Sequence, residues 1–317
     1  MPVPSLADVR AARERIAGRV HLTPTLSATR LGARAGARLS LKCESLQKTG
    51  SFKVRGALNT VALLDGAARA RGVITVSAGN HAQALAWASS AAHVPCTVVM
   101  PLTASRTKVD ASRGYGAEVV QHGASSIEAF AHARALASER QLAFVHPFDD
   151  PPIIAGQGTV GLEILDQTED VEIVVVPVGG GGLIAGIAIA IKEQRPGVRI
   201  YGVEPNGAAA MRRSVDAGHA VRLESVKTIA DGLSAPMAGE LTFDVVRRYV
   251  DDVVLVSDEE IAAAMRELLA SAKLLTEGGG AAATAAILSG KIPVDGKRVV
   301  SVISGGNVDL SLLKELL

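Results

Sequence analysis

Ile173-Val174-Val175-Val176-Pro177-Val178-Gly179-Gly180-Gly181-Gly182-Leu183-Ile184-Ala185-Gly186-Ile187-Ala188-Ile189-Ala190-Ile191 carries no charge from end to end. Its length is close to the roughly 20 apolar residues a membrane-spanning helix needs. Pro177 and the four successive glycines break it, however, and a different reading fits. Glu172–Pro177 is a β-branched run of strand length, the glycines make a tight loop, and Leu183–Glu193 is an Ala/Ile-rich helix. Strand, glycine loop and buried helix form the repeating unit of an α/β protein.

The same alternation extends in both directions. Further strand candidates are Leu39–Cys43, Val73–Val76, Cys96–Met100, Glu118–Val120, Val198–Val203, Val253–Val256 and Arg298–Ile303. Helical stretches such as Ala82–Ala92, Ser126–Glu139 and Asp258–Lys273 lie between them. Several strands are apolar along their whole length, as expected of parallel strands covered on both faces. Ser257-Asp258-Glu259-Glu260 places acids at a helix start, where the helix dipole favours them. Gly114 and Gly116 punctuate the end of the helix after Ser105. Three prolines in His146-Pro147-Phe148-Asp149-Asp150-Pro151-Pro152 interrupt the pattern and suggest a boundary. These strands can form one wide sheet or two smaller ones.

Composition narrows the function classes. The 317 residues suffice for one large domain or two modest ones, and 33 basic against 32 acidic residues leave a net charge of +1. The charges are intermixed, so nucleic acid is not an expected partner. The segment Met1–Ile16 carries Arg and acids but no apolar signal region, and reads as an amphipathic helix. A cytoplasmic protein without a membrane partner is expected. Cys43 and Cys96 sit in strand-like runs and read as buried thiols, with no spacing that suggests a metal.

Four motifs carry chemistry. In Ser51-Phe52-Lys53-Val54-Arg55-Gly56, Ser51 can cap a helix beginning at Phe52, which puts Lys53 in the first turn. The helix dipole disfavours a cation there, and burial would lower the lysine pKa and favour amine chemistry; the plain alternative is a solvated lysine. Ser77-Ala78-Gly79-Asn80-His81 follows a strand and opens a helix, where backbone N–H groups converge on an anion such as a carboxylate; an ordinary capped turn is the alternative. Gly179-Gly180-Gly181-Gly182-Leu183 follows a strand in the same way and suits a phosphate. Ser304-Gly305-Gly306-Asn307 follows the last strand, where α/β proteins meet ligands. One rival remains at this level. Gly180, Gly182 and Gly186 with Glu204 form a loose dinucleotide signature, which would make the chain a nicotinamide-dependent oxidoreductase.

Together the motifs resemble those of the fold-type II pyridoxal-phosphate (PLP) enzymes, specifically the threonine dehydratase and serine racemase family. The similarity runs through Ser51–Ala57, Ser77–Gln83, His146–Pro151, Gly156-Gln157-Gly158-Thr159, Gly179–Leu183, Ala230-Asp231-Gly232 and Ser304–Leu310. It implies a two-domain, tryptophan synthase β-like α/β fold with parallel-rich sheets covered by helices. Residues 1–68 and 150–317 would form the large PLP-binding domain, and 69–149 a small mobile substrate domain. Lys53 would be the catalytic residue that carries PLP. Phe52 would pack on the ring, Asn80 would bond the ring hydroxyl, Gly179, Gly180, Gly181, Gly182 and Leu183 would hold the phosphate, and Ser304 would meet the pyridine nitrogen. Ser77, Asn80 and His81 would lie beside the substrate carboxylate. The implied reaction is β-elimination of L-threonine or L-serine to a keto acid and ammonia, by a homodimer or homotetramer.

Departures from the family refine this. Ala78 replaces the second serine that serves racemases as the opposite-face acid–base, so elimination with little racemisation is expected. Ala210 replaces an acidic residue six positions after Glu204, so no divalent metal site is expected. The run Thr276-Glu277-Gly278-Gly279-Gly280-Ala281 departs from the usual one and is expected to form a flexible loop, with Glu277 retained. The sequence runs only a few residues past Leu310, so a short form without the appended regulatory domain of biosynthetic threonine dehydratases is expected. Other β-hydroxy amino acids (3-hydroxyaspartate or a hydroxyectoine-derived compound), β-replacement and racemisation remain open alternatives.

Overall fold

The computed structural model describes residues 2–316, so Met1 and Leu317, the outer ends of the expected large domain, lie outside the described residues. Its strands are β1 (Thr25–Ser27), β2 (Arg38–Cys43), β3 (Val73–Val76), β4 (Cys96–Met100), β5 (Glu118–Gln121), β6 (Ala143–Phe144), β7 (Ile173–Pro177), β8 (Arg199–Pro205), β9 (Asp252–Val256) and β10 (Arg298–Ile303). They make two sheets. The larger has the order β1-β2-β10-β7-β8-β9 and the smaller β5-β4-β3-β6. β1 pairs antiparallel with β2; every other pairing of these strands is parallel. The smaller sheet is drawn wholly from one interior stretch of chain, and the larger from the segments on either side of it.

The uncharged run 173–191 lies at the centre of the larger sheet. It divides into β7, the glycine loop and the helix Gly182–Lys192, and no described helix is long and apolar enough to cross a membrane. Alternating side chains of β7 feed two cores. Val174 and Val176 face the helices Pro151–Gln167 and Gly182–Lys192, while Ile173 and Val175 face Gly278–Leu288 and Asp258–Glu267. This is the period-two geometry of a strand covered on both sides.

Glycines set the helix spacing on the first side. A Cβ on Gly156 would lie 2.5 Å from the Cα of Gly56, and one on Gly186 would lie 2.4 Å from the nitrogen of Gly158. Three helices therefore touch backbone to backbone: Lys53–Leu63, Pro151–Gln167 and Gly182–Lys192. Their contact fixes the lysine-bearing helix relative to the helix that follows the glycine loop.

Several expectations need correction. The prolines after Asp150 start a helix: Pro151 and Pro152 occupy its first turn, where a missing N–H costs nothing. The helix from Asp258 is α-helical only to Glu267; a π turn, Leu268–Ala272, follows and ends at left-handed Lys273. The Gly278–Gly280 run is no flexible loop. It is the buried first turn of the helix Gly278–Leu288, and a Cβ on Gly280 would sit 2.1 Å from the Gly305 carbonyl oxygen. The short β1 and β6 carry no run long enough to read as strands.

Candidate active site

The motifs converge at the carboxyl ends of parallel strands, between the two sheets. Lys53 opens the helix Lys53–Leu63, and Phe52 occupies its N-cap. Ser51 does not cap it. Ser51 is extended and bridges to Gly305, its hydroxyl is buried without a hydrogen bond, and the Phe52 N–H donates to the Ser304 carbonyl at 3.1 Å. The lysine motif and the serine motif are thereby joined by backbone.

Lys53 Nζ donates to the Pro147 carbonyl at 2.8 Å and lies 5.2 Å from the centre of the Phe52 ring. Burial pulls its pKa down to about 8, although Glu277 acts the other way. A carbonyl orients the amine without stabilising its charge as a carboxylate contact would. Phe148, next along the chain, packs across the glycine loop: a Cβ on Gly180 would fall 2.3 Å from its ring. Pro147 and Phe148 thus tie the lysine to the loop.

Within the loop, the N–H groups of Gly179 through Leu183 donate to no protein acceptor among the described residues. They lie at the start of the helix Gly182–Lys192, whose dipole adds positive potential there. A buried row of free donors at a helix start is suited to a phosphate group.

Across the cleft, Asn80 opens the helix Asn80–Ser90. Its Nδ2 donates to Glu277 Oε1 at 2.7 Å, and its Oδ1 accepts from Asn307 Nδ2 at 2.8 Å. Asn307 Nδ2 also reaches the Thr49 carbonyl at 2.7 Å. The two ends of the Asn80 amide are therefore assigned, with one side-chain N–H left without a protein acceptor among the described residues. Burial drives the Glu277 pKa up to about 7, and the Asn80 hydrogen bond opposes this. Ser304 Oγ bonds the Gly279 carbonyl at 3.2 Å, and Ser77 Oγ accepts from the Gly79 N–H at 3.1 Å, shaping that turn. His81 is only 2% exposed. Burial, with Lys53 and His146 nearby, holds its pKa well below the usual value, so the ring is neutral and brings no charge to a carboxylate.

Glu204 is occupied elsewhere. Its fully buried carboxylate accepts the N–H groups of Met211 and Arg212 at 2.8 Å each, capping the helix Ala210–Ala217. A carboxylate committed to a helix end is not free to bind a ribose, which removes the dinucleotide reading. No group of three or more His, Cys, Asp or Glu among the described residues is placed to hold a metal ion. The sequence pattern puts Pro147, Phe148 and Asp149 at a boundary and gives them no part in the site; their inclusion in the His146–Pro151 stretch of the family resemblance is the signal that points to one.

The fold and the site define a fold-type II PLP enzyme: the chain belongs to the family described as pyridoxal-phosphate dependent enzyme, whose model matches residues 16–305. Among its relatives, the L-threonine ammonia-lyase of Thermotoga maritima is 45% identical over 99% of this chain and 78% of that one. The catabolic L-threonine dehydratase TdcB of Escherichia coli K12 is 42% identical, with 100% and 96% covered. Among solved structures, maize serine racemase superposes with a TM-score of 0.95 at 38% identity, over 99% of this chain and 97% of that one. The free donors of the glycine loop and the half-buried lysine amine fit the family's cofactor.

Proposed function

We propose that this protein is an L-threonine ammonia-lyase that also accepts L-serine, releasing 2-oxobutanoate or pyruvate together with ammonia. The observation that carries the chemistry is Lys53: a half-buried amine with its pKa lowered to about 8 and a carbonyl as its hydrogen-bond partner, beside free donors suited to a phosphate. The substrate follows from the names of relatives that match over nearly the whole chain.

Bound PLP supplies an electron sink that acidifies the α-carbon of an attached amino acid. Lys53 holds the cofactor and then takes the α-proton at Nζ, with the Pro147 carbonyl orienting that atom. Gly179 through Leu183 hold the phosphate, Phe52 packs on the ring, Asn80 donates to the ring oxygen and Ser304 meets the ring nitrogen. Ser77, His81 and the backbone N–H of Asn80, at the start of its helix, lie beside the substrate carboxylate. The proton taken up by Lys53 goes to the β-hydroxyl, which departs as water, and hydrolysis of the released product gives keto acid and ammonia. Ala78, on the other face, has no proton to exchange, which favours elimination over the racemisation named for the maize protein. Residues 69–149 act as a small unit closing on 1–68 and 150–317, in a cytoplasmic homodimer or homotetramer.

The test is a visible spectrum, with keto-acid assays on L-threonine and L-serine, for wild type and Lys53→Ala. The wild type should be yellow and active. The variant should lose the band and at least about 10³-fold in rate. A yellow protein inert to both amino acids would refute the substrate, and one that stays colourless with added PLP would refute the cofactor assignment.

A further inference from the structure

We propose that Thr242, held in place by Asp149, is a positioning residue for the cofactor phosphate: its hydroxyl turns the Gly180–Gly181 peptide so that the Gly181 N–H is presented to the anion. The inference deepens the PLP reading and rests on it.

Thr242 Oγ1 donates to the Gly180 carbonyl at 2.7 Å, and the Gly239 N–H reaches the same oxygen at 3.3 Å. The hydroxyl has one proton, and its other acceptor, the Gly239 carbonyl, is farther away at 3.2 Å. A trans peptide is planar, with C=O and N–H on opposite sides. Drawing the Gly180 oxygen toward Thr242 therefore aims the Gly181 N–H the other way, where no protein acceptor receives it among the described residues. The space is tight: a Cβ on Gly181 would fall 2.7 Å from Thr242, and Gly181 already has φ +95°. Thr242 itself is fully buried.

Thr242 sits in the first turn of the helix Glu240–Tyr249, whose N-cap, Gly239, has no side chain to satisfy the free N–H groups. Asp149 does so from 91 and 93 residues away, accepting from Glu240 at 3.0 Å and from Thr242 at 3.1 Å. A Cβ on Gly239 would collide with that carboxylate at 2.2 Å. Asp149 directly follows Phe148, whose ring covers Gly180. One short segment, Pro147–Asp149, thus orients the lysine amine, packs the loop and anchors the helix that sets the loop's peptide plane. Neither Thr242 nor Asp149 needs to touch the cofactor.

The experiment compares wild type with Thr242→Val, which keeps the shape and loses the donor, and with Thr242→Ser, which keeps the donor. PLP is removed from the purified holoenzymes, and PLP and its phosphate-free analogue pyridoxal are each titrated back. Thr242→Val should bind PLP about 10- to 100-fold more weakly, because a well-placed hydrogen bond to a charged group is lost. Its affinity for pyridoxal should match wild type, and the ³¹P resonance of its bound PLP should shift. Thr242→Ser should restore PLP affinity. If the valine variant does not fold, Thr242→Ala removes the same donor for the same titrations. Wild-type PLP affinity in the valine variant, or an equal loss for PLP and pyridoxal, would overturn the proposal. A wild type that binds no PLP at all would instead refute the cofactor reading.

Discussion

Lys53 carries an amine whose surroundings favour its uncharged form. Its amine lies at a helix start, where the dipole opposes a positive charge, and it is surrounded by protein. Its free pKa of about 8 sets a pH dependence with a definite sign. Below that value the amine is protonated and cannot attack an aldehyde, so the rate of PLP uptake by the apoprotein should rise about tenfold per pH unit up to about 8 and then level off. Stopped-flow absorbance from about pH 6 to about pH 10 measures this, and a flat profile would count against a desolvated amine with a carbonyl as its hydrogen-bond partner. Lys53 and the glycine loop were legible because helix starts, glycine runs and strand ends are local patterns. Thr242 and Asp149 were not. Their meaning depends on a carbonyl and a helix end brought together by the fold, and neither residue type is unusual where it stands.

At the scale of elements, the site is steadied by a buried charge network. Arg55 donates to both oxygens of Glu44 at 2.7 and 2.8 Å and to Glu163 at 2.6 and 2.9 Å. Lys42 joins Glu163, the Thr23 carbonyl and Gln167. The network ties the lysine helix to β2 and to the helix Pro151–Gln167. Burial pushes the Glu44 pKa up, but Arg55, Lys42 and Thr23 outweigh it, and the net shift is downward. Arg55→Met should therefore cost about 3–5 kcal/mol, since it leaves two carboxylates facing one lysine. Urea unfolding at neutral pH reads that loss. In wild type, the share of stability due to Glu44 is present above its unfolded pKa and disappears as pH falls through the lowered folded value. In the variant the sign reverses, because protonating an unpaired buried carboxylate relieves it. The network itself was not legible: a Lys, an Arg and two Glu in separate segments look like surface residues until three elements meet. The prolines after Asp150 read as a break for a related reason. As a local signal they stop a helix, but at its first turn they start one.

For the whole molecule, the two sheets face each other across a cleft that side chains bridge. Asn80 reaches Glu277 and Asn307, and Lys108 pairs with Asp231 at 2.7 Å. The Lys108–Asp231 pair is exposed, its side chains 36% and 74% accessible, so it contributes at most about 1 kcal/mol and weakens with salt. If it helps hold the smaller unit closed, wild-type KM for threonine should climb a few-fold between about 50 mM and about 500 mM NaCl. Lys108→Met should start at the higher KM and respond little to salt, with kcat nearly unchanged. Parallel slopes for the two proteins would rule the latch out. The parallel α/β architecture was readable from apolar strand runs. The division into two sheets was not readable from those runs, because strand order is set by contacts between distant segments; only the family resemblance, which implied two α/β domains, pointed to it.

That strand order also dictates when in its synthesis the chain can become an enzyme. Arg38 of β2 pairs with Arg298 of β10, so the second strand to be made waits for the tenth. The smaller sheet closes with Phe144, long before Arg298 is translated. At ribosomal speeds of about 5–20 residues per second, that sheet can be complete for roughly ten to thirty seconds before β2 meets its neighbour. During that interval the nascent chain carries an unpaired apolar strand edge just upstream of Lys53, the kind of surface that invites misassembly and chaperone binding. The bond from the Phe52 N–H to the Ser304 carbonyl cannot form earlier either. Until the last strand is made, the segment that carries Lys53 lacks this backbone tie, and the two halves of the site stay unjoined.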